Sequence, residues 1–231
     1  MVAWMKMRMS QTEGSEYDRL FYPFLFAGGQ VSANEVLAQV RHSTLEKYRE
    51  IIALRKATLM RQQDVIVATG KAMGRALAAG ATLLAFGNGG SATDAQDLVA
   101  DLLDPPFQKW SPLPAMSLTN DIAVVTAVGN DVGFINVFSR QIIAFGRPGD
   151  IAFGISTSGN SPNVLAALEQ AKKQGLLTIG LAGYDGGKMA SLMAVVDFCL
   201  IVPSVNIPRI QEAQATIYHA LLEVIHAVIE T

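Results

Sequence analysis

The stretch TLLAFGNGGS, residues 82–91, joins a short apolar run to a glycine-rich loop. The run from Thr82 to Phe86 predicts a strand that is buried on both faces, which is typical of a parallel sheet. The glycines that follow allow a sharp turn, and a helix is predicted to begin near Ala92. The free N–H groups and dipole of that helix N-terminus would favour an anion or a sugar hydroxyl at the loop. Taken alone, the stretch is equally consistent with a tight structural turn.

A second stretch, IAFGISTSGNSPN at residues 151–163, repeats this arrangement with hydroxyl side chains in the loop. Ser161 and Pro162 form a good N-cap and first-turn pair for a following helix. Capping requires only one hydroxyl, so Ser156, Ser158 and Ser161 are predicted to donate to phosphate oxygens at the helix N-terminus. Neither loop matches the P-loop or the dinucleotide fingerprint, and no nucleotide cofactor is therefore expected.

Further short apolar runs follow the same pattern at residues 115–118, 177–181 and 198–202. Strands that alternate with helices predict an α/β fold, a doubly wound parallel five-stranded sheet flanked by helices. A last helix is expected from about Pro208 to Ile229.

The segment before the first strand is predicted to be helical. We expect a flexible tail over residues 1–16, an N-terminal helical segment over 17–80 packed on the core or on a neighbouring subunit, and the α/β domain over 81–231. Two long helices are predicted between Ser32 and Ala79, after an aromatic segment, Phe21 to Phe26.

Composition narrows the classes of protein that this chain could represent. Half of the 231 residues are hydrophobic and only 16% are charged, which favours a homo-oligomer. The net charge of −2 and scattered basic residues argue against direct nucleic-acid binding. A single cysteine, Cys199, excludes a disulfide within the chain, and no apolar run reaches membrane-spanning length. We therefore expect a cytoplasmic protein without a membrane partner.

Two pairs of side chains could carry chemistry. Asp97 and Asp101 are four residues apart on one predicted helix, where they could hold a metal, provide a base or form a solvated acidic face. On the last helix the spacing places Glu212 and His219 on one stripe, with Gln211 to one side. A histidine on such a helix is also a common core or surface residue.

Five ordered strings make the chain from about Gly80 onward resemble the SIS (sugar isomerase) domain family and, within it, the phosphoheptose isomerases. They are GNGGS at 87–91, VGND at 128–131, GISTSGNS at 154–161, GYDGGK at 183–188 and RIQE at 209–212. The resemblance implies the SIS fold and isomerisation of sedoheptulose 7-phosphate to a heptose 7-phosphate, in a homotetramer whose sites lie between subunits.

The resemblance also implies roles for individual residues. Phosphate binding falls to Ser156, Thr157, Ser158 and Ser161. The other implied substrate contacts are Asn88, Gly89, Gly90, Ser91, Asn130, Asp131 and Gln211. It gives His219 an acid/base role, and it implies a metal site, with Zn²⁺ as the candidate, at Asp97, Asp101, Gln211 and His219. An enediol reaction needs two proton-transfer groups, and our hypothesis gives these roles to Asp101 and His219. The choice of Gln211 over Glu212 comes from the resemblance.

The chain departs from the family pattern at several of these positions. Asp97 and Asp101 stand where the family has His and Glu, and Pro105 matches a substrate-contacting Arg. Pro208 replaces an acidic residue. Two alternatives follow: a non-catalytic SIS module that binds a phosphosugar or a protein partner, and an isomerase for another ketose phosphate.

Overall fold

The computed structural model describes residues 33–230, and within them the first element is one long helix, α1 (Ala33–Ala78). The expectation of two helices here is wrong, because the segment contains no proline and its glycines, Gly70 and Gly74, lie near its end. Each of these two glycines leaves room for a valine of the last helix, Val224 or Val228. The predicted tail, the aromatic segment and Ser32, where the first helix was expected to begin, lie outside the described residues.

The chain divides into two compact units, Met1–Glu46 and Lys47–Thr231. In the first unit, the described residues form the beginning of α1. There His42 and Glu46 form an ion pair at 3.1 Å, and Leu37 and Leu45 are exposed. All further description concerns the second unit.

The second unit contains a five-stranded sheet in which every neighbouring pair is parallel, in the order β2-β1-β3-β4-β5. The strands are β1 (Leu83–Gly87), β2 (Ala115–Ser117), β3 (Ile151–Ser156), β4 (Leu177–Gly183) and β5 (Phe198–Val202). The predicted five-stranded parallel sheet is thereby confirmed, with strand ends that differ from the expected ones by at most two residues.

Helices connect the strands and close the domain. They are α2 (Gly90–Leu103), α3 (Ile122–Val128), α4 (Ser139–Phe145), α5 (Pro162–Lys173), α6 (Gly187–Ser191) and α7 (Ile207–Ile229), with a π-helical turn (Gly129–Gly133) and a 3₁₀ turn (Phe134–Asn136) after α3. Helix α7 agrees with the predicted last helix, and α2 begins two residues earlier than expected.

The core lies in two layers, one on each face of the sheet. Successive residues of β1 alternate between them, since Leu83 and Ala85 belong to one cluster whereas Leu84 and Phe86 belong to the other. The first layer is covered by α1, α2 and α7, and the second by α4, α5 and α6. This double coverage explains why β1 and β3 are buried along their whole length and almost entirely apolar rather than alternating.

The strand order determines where a ligand can bind. Strand β1 has β2 on one side and β3 on the other, so the connections leaving β1 and β3 separate at the carboxyl edge of the sheet. Crevices at such positions are the usual ligand sites of open α/β sheets. Two loops lie at this edge: the glycine loop after β1 (residues 87–91) and the hydroxyl loop after β3 (residues 156–161).

Within the described residues no single helix has both the length and the apolar composition to cross a membrane. One bent pair of helical segments, Ile122–Asn136 with Ser139–Phe145, meets that test by length and composition alone.

Candidate active site

The loop after β1 and the helix after β3 are joined by a reciprocal amide pair. Asn88 Nδ2 donates to Asn163 Oδ1, and Asn163 Nδ2 donates to Asn88 Oδ1, both at 2.8 Å. Asn163 is buried, and its Oδ1 also accepts from the backbone N–H of Val164. Asn88 therefore links the loop after β1 to the first turn of α5, and this pair uses only one of its two amide hydrogens, so the other can be donated to a ligand.

The hydroxyl loop is folded onto itself at the start of α5. The hydroxyls of Ser156 and Ser161 lie 2.9 Å apart, and Ser158 Oγ accepts from the backbone N–H of Asn160. Helix α5 begins with Ser161 at its N-cap position and Pro162 in its first turn, as predicted, but the Ser161 side chain makes no cap hydrogen bond. The Ser161 hydroxyl faces Ser156 instead, which leaves both groups able to turn towards an anion at the helix N-terminus.

A third loop, at residues 184–188, packs against the hydroxyl loop. Gly159 has a φ of +63°, and a Cβ there would lie 2.0 Å from the backbone oxygen of Gly186. The backbone N–H of Met189 donates to the Gly159 oxygen at 3.0 Å, and that of Lys188 donates to Asn160 Oδ1 at 3.0 Å. Only a glycine at position 159 lets the two loops approach so closely.

Gln211 and Glu212 are adjacent on α7, but their side chains contact different residues. A Cβ added to Gly90 would lie 1.9 Å from Gln211 Nε2, so the Gln211 side chain occupies the space that Gly90 leaves at the start of α2. Glu212 is exposed and pairs with Arg209 at 2.6 Å. Of the two, Gln211 is the residue that faces the glycine loop, although spacing alone favoured Glu212.

Asp97, Asp101 and His219 converge between α2 and α7. His219 Nε2 lies 3.4 Å from Asp101 Oδ2 and 3.8 Å from Asp97 Oδ2. Burial and the nearby charge of Asp97 raise the pKa of Asp101, and the His219 charge opposes this shift. A carboxylate with a raised pKa is a stronger base than an ordinary aspartate.

Two neighbours of this cluster were missed from the sequence. The Tyr218 hydroxyl donates to Asp97 Oδ2 at 2.6 Å. Asp94 lies one turn before Asp97, and burial together with the Asp97 charge raises its pKa from 3.8 to about 6. Spacing could have indicated Asp94, which precedes Asp97 by three residues on the same helix, whereas no signal within α7 singles out Tyr218.

The cluster fits a divalent cation. One ligand atom from each of Asp97, Asp101 and His219 can be chosen so that all three lie within 4.8 Å of one another. Carboxylate oxygens and an imidazole nitrogen are accepted Zn²⁺ ligands. Gln211 contacts Gly90. Gly90 precedes Asp97 by seven residues on α2, so the two positions are about 10 Å apart along the helix axis. The place of Gln211 as a fourth ligand therefore stays a prediction.

The remaining predicted substrate contacts lie at separate positions. Asn130 and Asp131 are exposed on the π-helical turn, where Asn130 Nδ2 donates to Asp131 Oδ1 at 2.8 Å. Ser91 is buried beneath the glycine loop, Thr157 is half-buried in the hydroxyl loop, and Gly89 is exposed at the N-cap of α2. The structure does not bring Asn130 and Asp131 into the Asp97–Asp101–His219 cluster.

A cavity of about 380 Å³ opens beside Asp101 and His219. Phe107 and Trp110 form part of its wall, and Trp110 is held by stacking on His226 with ring centroids 4.3 Å apart. Phe107 and Trp110 give one side of the cavity an aromatic surface, beside the charged side chains of Asp101 and Glu223. The match of nearby Pro105 to a family arginine stays a prediction.

A parallel α/β sheet with a hydroxyl-rich loop at a helix N-terminus is the arrangement expected of a phosphosugar-binding protein of the SIS class. The SIS domain family model matches residues 47–183. The phosphoheptose isomerase of Nitratidesulfovibrio vulgaris is 42% identical over 183 residues, which cover 79% of this chain and 86% of that protein. That of Paramagnetospirillum magneticum is 52% identical over 152 residues, covering 66% and 78%.

Solved structures agree with these sequence matches. The phosphoheptose isomerase of Neisseria gonorrhoeae superposes with a TM-score of 0.76 at 37% identity, covering 82% of this chain and 100% of that one. The Francisella tularensis enzyme gives 0.77 at 36% identity, covering 81% and 98%. The chain belongs to the phosphoheptose isomerase family of SIS-domain proteins.

Proposed function

We propose that this protein is an isomerase that interconverts sedoheptulose 7-phosphate and a heptose 7-phosphate. The observation that carries the proposal is the Asp101–His219 pair, 3.4 Å apart, in a chain that also has the hydroxyl loop of the phosphoheptose isomerase family. Position 101 keeps a carboxylate, and position 97 carries a carboxylate in place of an imidazole, so both residues can still bind a cation and Asp101 can still accept a proton.

The reaction needs two proton-transfer groups. In the ketose-to-aldose direction the base removes a proton from C1, the C2 carbonyl oxygen gains a proton, and an enediol forms. Return of a proton to C2 and loss of the O1 proton then give the aldose. We assign the base to Asp101, whose raised pKa suits proton abstraction, and the second proton-transfer role to His219, whose Nε2 lies 3.4 Å from Asp101 Oδ2.

The phosphate end is held without a cation. The hydroxyls of Ser156, Ser158 and Ser161, with Thr157, offer donors at the N-terminus of α5, whose dipole favours an anion. Asn88 adds its free amide hydrogen. These groups fix the phosphate and so orient the carbonyl end of the sugar, which lowers the entropy cost of the proton transfers.

We further propose a divalent cation, with Zn²⁺ as the first candidate, bound by Asp97, Asp101 and His219, with Gln211 as a fourth ligand. A bound cation supplies Lewis-acid polarisation of the carbonyl oxygen. Asp97 neither gives nor accepts a proton in this scheme, and its role is to bind the cation.

The proposal includes a homotetramer in the cytoplasm. Exposed apolar residues on α1, such as Ile52, Leu59 and Met60, support burial against other copies of the chain. A single cysteine and a phosphorylated substrate support a reducing, intracellular compartment.

The test is to incubate the purified protein with sedoheptulose 7-phosphate after chelation and after addition of Zn²⁺ or Mn²⁺, and to quantify ketose and aldose by chromatography. We expect an aldose product and faster turnover with one of the cations. Ketose phosphates of five and six carbons serve as controls for the sugar. Binding without turnover under every metal condition would replace the isomerase by a phosphosugar-binding module, and preference for a shorter ketose would change the substrate.

A further inference from the structure

We propose that Tyr218 is a positioning residue that holds the Asp97 carboxylate beside Asp101 and His219. The inference rests on the proposed function, because it concerns the same cluster. It assigns a role to a residue that stands outside the predicted acid/base and ligand set.

Asp97 needs a partner to stay in the cluster. Its side chain is 55% exposed, and it shares a helix face with Asp101, four residues later. Two carboxylates at this spacing repel one another. Without a hydrogen-bond donor on α7, the Asp97 side chain would lower its repulsion from Asp101 by rotating into solvent.

Tyr218 supplies that donor from a fixed position. Its side chain belongs to the first core layer and is only 2% exposed, and its ring meets the His219 ring edge-on with centroids 4.7 Å apart. The buried ring cannot follow a carboxylate that rotates outward. The 2.6 Å hydrogen bond to Asp97 Oδ2 therefore brings the aspartate to the tyrosine rather than the reverse.

The same oxygen faces the imidazole. Asp97 Oδ2 lies 3.8 Å from His219 Nε2, so the carboxylate is held between the phenol and the histidine. Hydrogen bonds of this kind orient metal ligands, and their loss typically costs about 10–100-fold in metal affinity or activity. Tyr218 thus restricts the rotation of the Asp97 side chain, which is short and exposed and would otherwise be free to leave the cluster.

The experiment compares Tyr218→Phe with wild type and with Tyr48→Phe, a matched control at an exposed tyrosine of α1. Zn²⁺ and Mn²⁺ affinities are measured by calorimetry on the chelated protein, with kcat, KM and Tm alongside. We expect Tyr218→Phe to lose about tenfold or more in cation affinity, with KM for the phosphosugar unchanged and Tyr48→Phe equal to wild type.

A double-mutant cycle and a structure distinguish positioning from a general packing defect. In an Asp97→Ala background, Tyr218→Phe should cause no further loss of cation affinity. Crystal structures should show Asp97 bonded to Tyr218 in wild type and turned towards solvent in the variant. An unchanged Asp97 conformation in Tyr218→Phe, or an equal loss of affinity with and without Asp97, would overturn the proposal. Neither result depends on turnover, so failure of the isomerase assignment would be recognised separately.

Discussion

Gly159→Ala tests how the phosphate-binding loop is built. The substitution places a Cβ 2.0 Å from the backbone oxygen of Gly186, in a residue whose φ is +63°. Left-handed backbone costs about 1–2 kcal/mol for a residue with a side chain. The clash is with backbone, which must shift, and such overpacking costs about 1–3 kcal/mol more. We expect a total loss of about 2–5 kcal/mol.

Gly80→Ala is the matched control for this prediction. Gly80 also has a positive φ, +91°, but a Cβ there meets nothing within 4 Å, so only the backbone cost of about 1–2 kcal/mol applies. Both variants are unfolded in urea at 25 °C, and phosphosugar binding is measured by calorimetry. Gly159→Ala should be the less stable and should bind at least about tenfold more weakly. Equal stability and equal affinity of the two variants would refute the idea that the two loops support each other.

Three further predictions concern single residues around the site. Because the Asp94 pKa is raised from 3.8 to about 6, the folded chain holds this proton more tightly than the unfolded chain, and stability falls as pH rises through that range. The full shift corresponds to about 3 kcal/mol, and solvent screens part of it. In urea unfolding of the metal-free proteins, the free energy of unfolding of Asp94→Asn should therefore exceed that of wild type by about 1–2 kcal/mol at pH 7.5 and equal it near pH 4. Equal stability at pH 7.5 would count against the burial of this carboxylate. Gly90→Ala should displace Gln211 and lower kcat/KM about tenfold or more in a turnover assay, while adding no further loss to Gln211→Ala; additive losses would show that the Gly90–Gln211 contact is not the cause. Ser161→Ala removes the hydroxyl 2.9 Å from Ser156 and should weaken phosphosugar binding about tenfold in calorimetry with less than about 1 kcal/mol of lost stability, a pattern that unchanged affinity would contradict.

The sheet could be predicted because burial on both faces leaves a clear mark in the sequence. The run at 198–202 matches β5 residue for residue, and the others differ only at their ends. Helix α1 was predicted less well. Residues 33–78 contain no proline and no glycine before Gly70, which is compatible with one helix of 46 residues, but the lack of such residues does not by itself exclude a turn between two helices.

The site was predicted in part, because the loops carry motifs whereas the helix contacts depend on neighbours. The hydroxyl loop and the Ser161–Pro162 helix start follow from local chemistry. The position of Gln211 depends on the absence of a side chain at Gly90, which is far away in the sequence. The Tyr218 contact likewise exists only because α2 and α7 pack side by side, and periodicity on α7 alone cannot show which residue faces Asp97.

The central claim is that His219 is needed for proton transfer and not for holding the phosphosugar. The most direct measurement is turnover of sedoheptulose 7-phosphate by wild type and His219→Ala, with the dissociation constant of the sugar phosphate measured for both in the chelated state. The account predicts aldose formation by wild type, and for the variant no measurable turnover with an affinity within about threefold of wild type, because the phosphate is held by the hydroxyl loop. Retained turnover in His219→Ala would contradict the account and remove this histidine from the reaction.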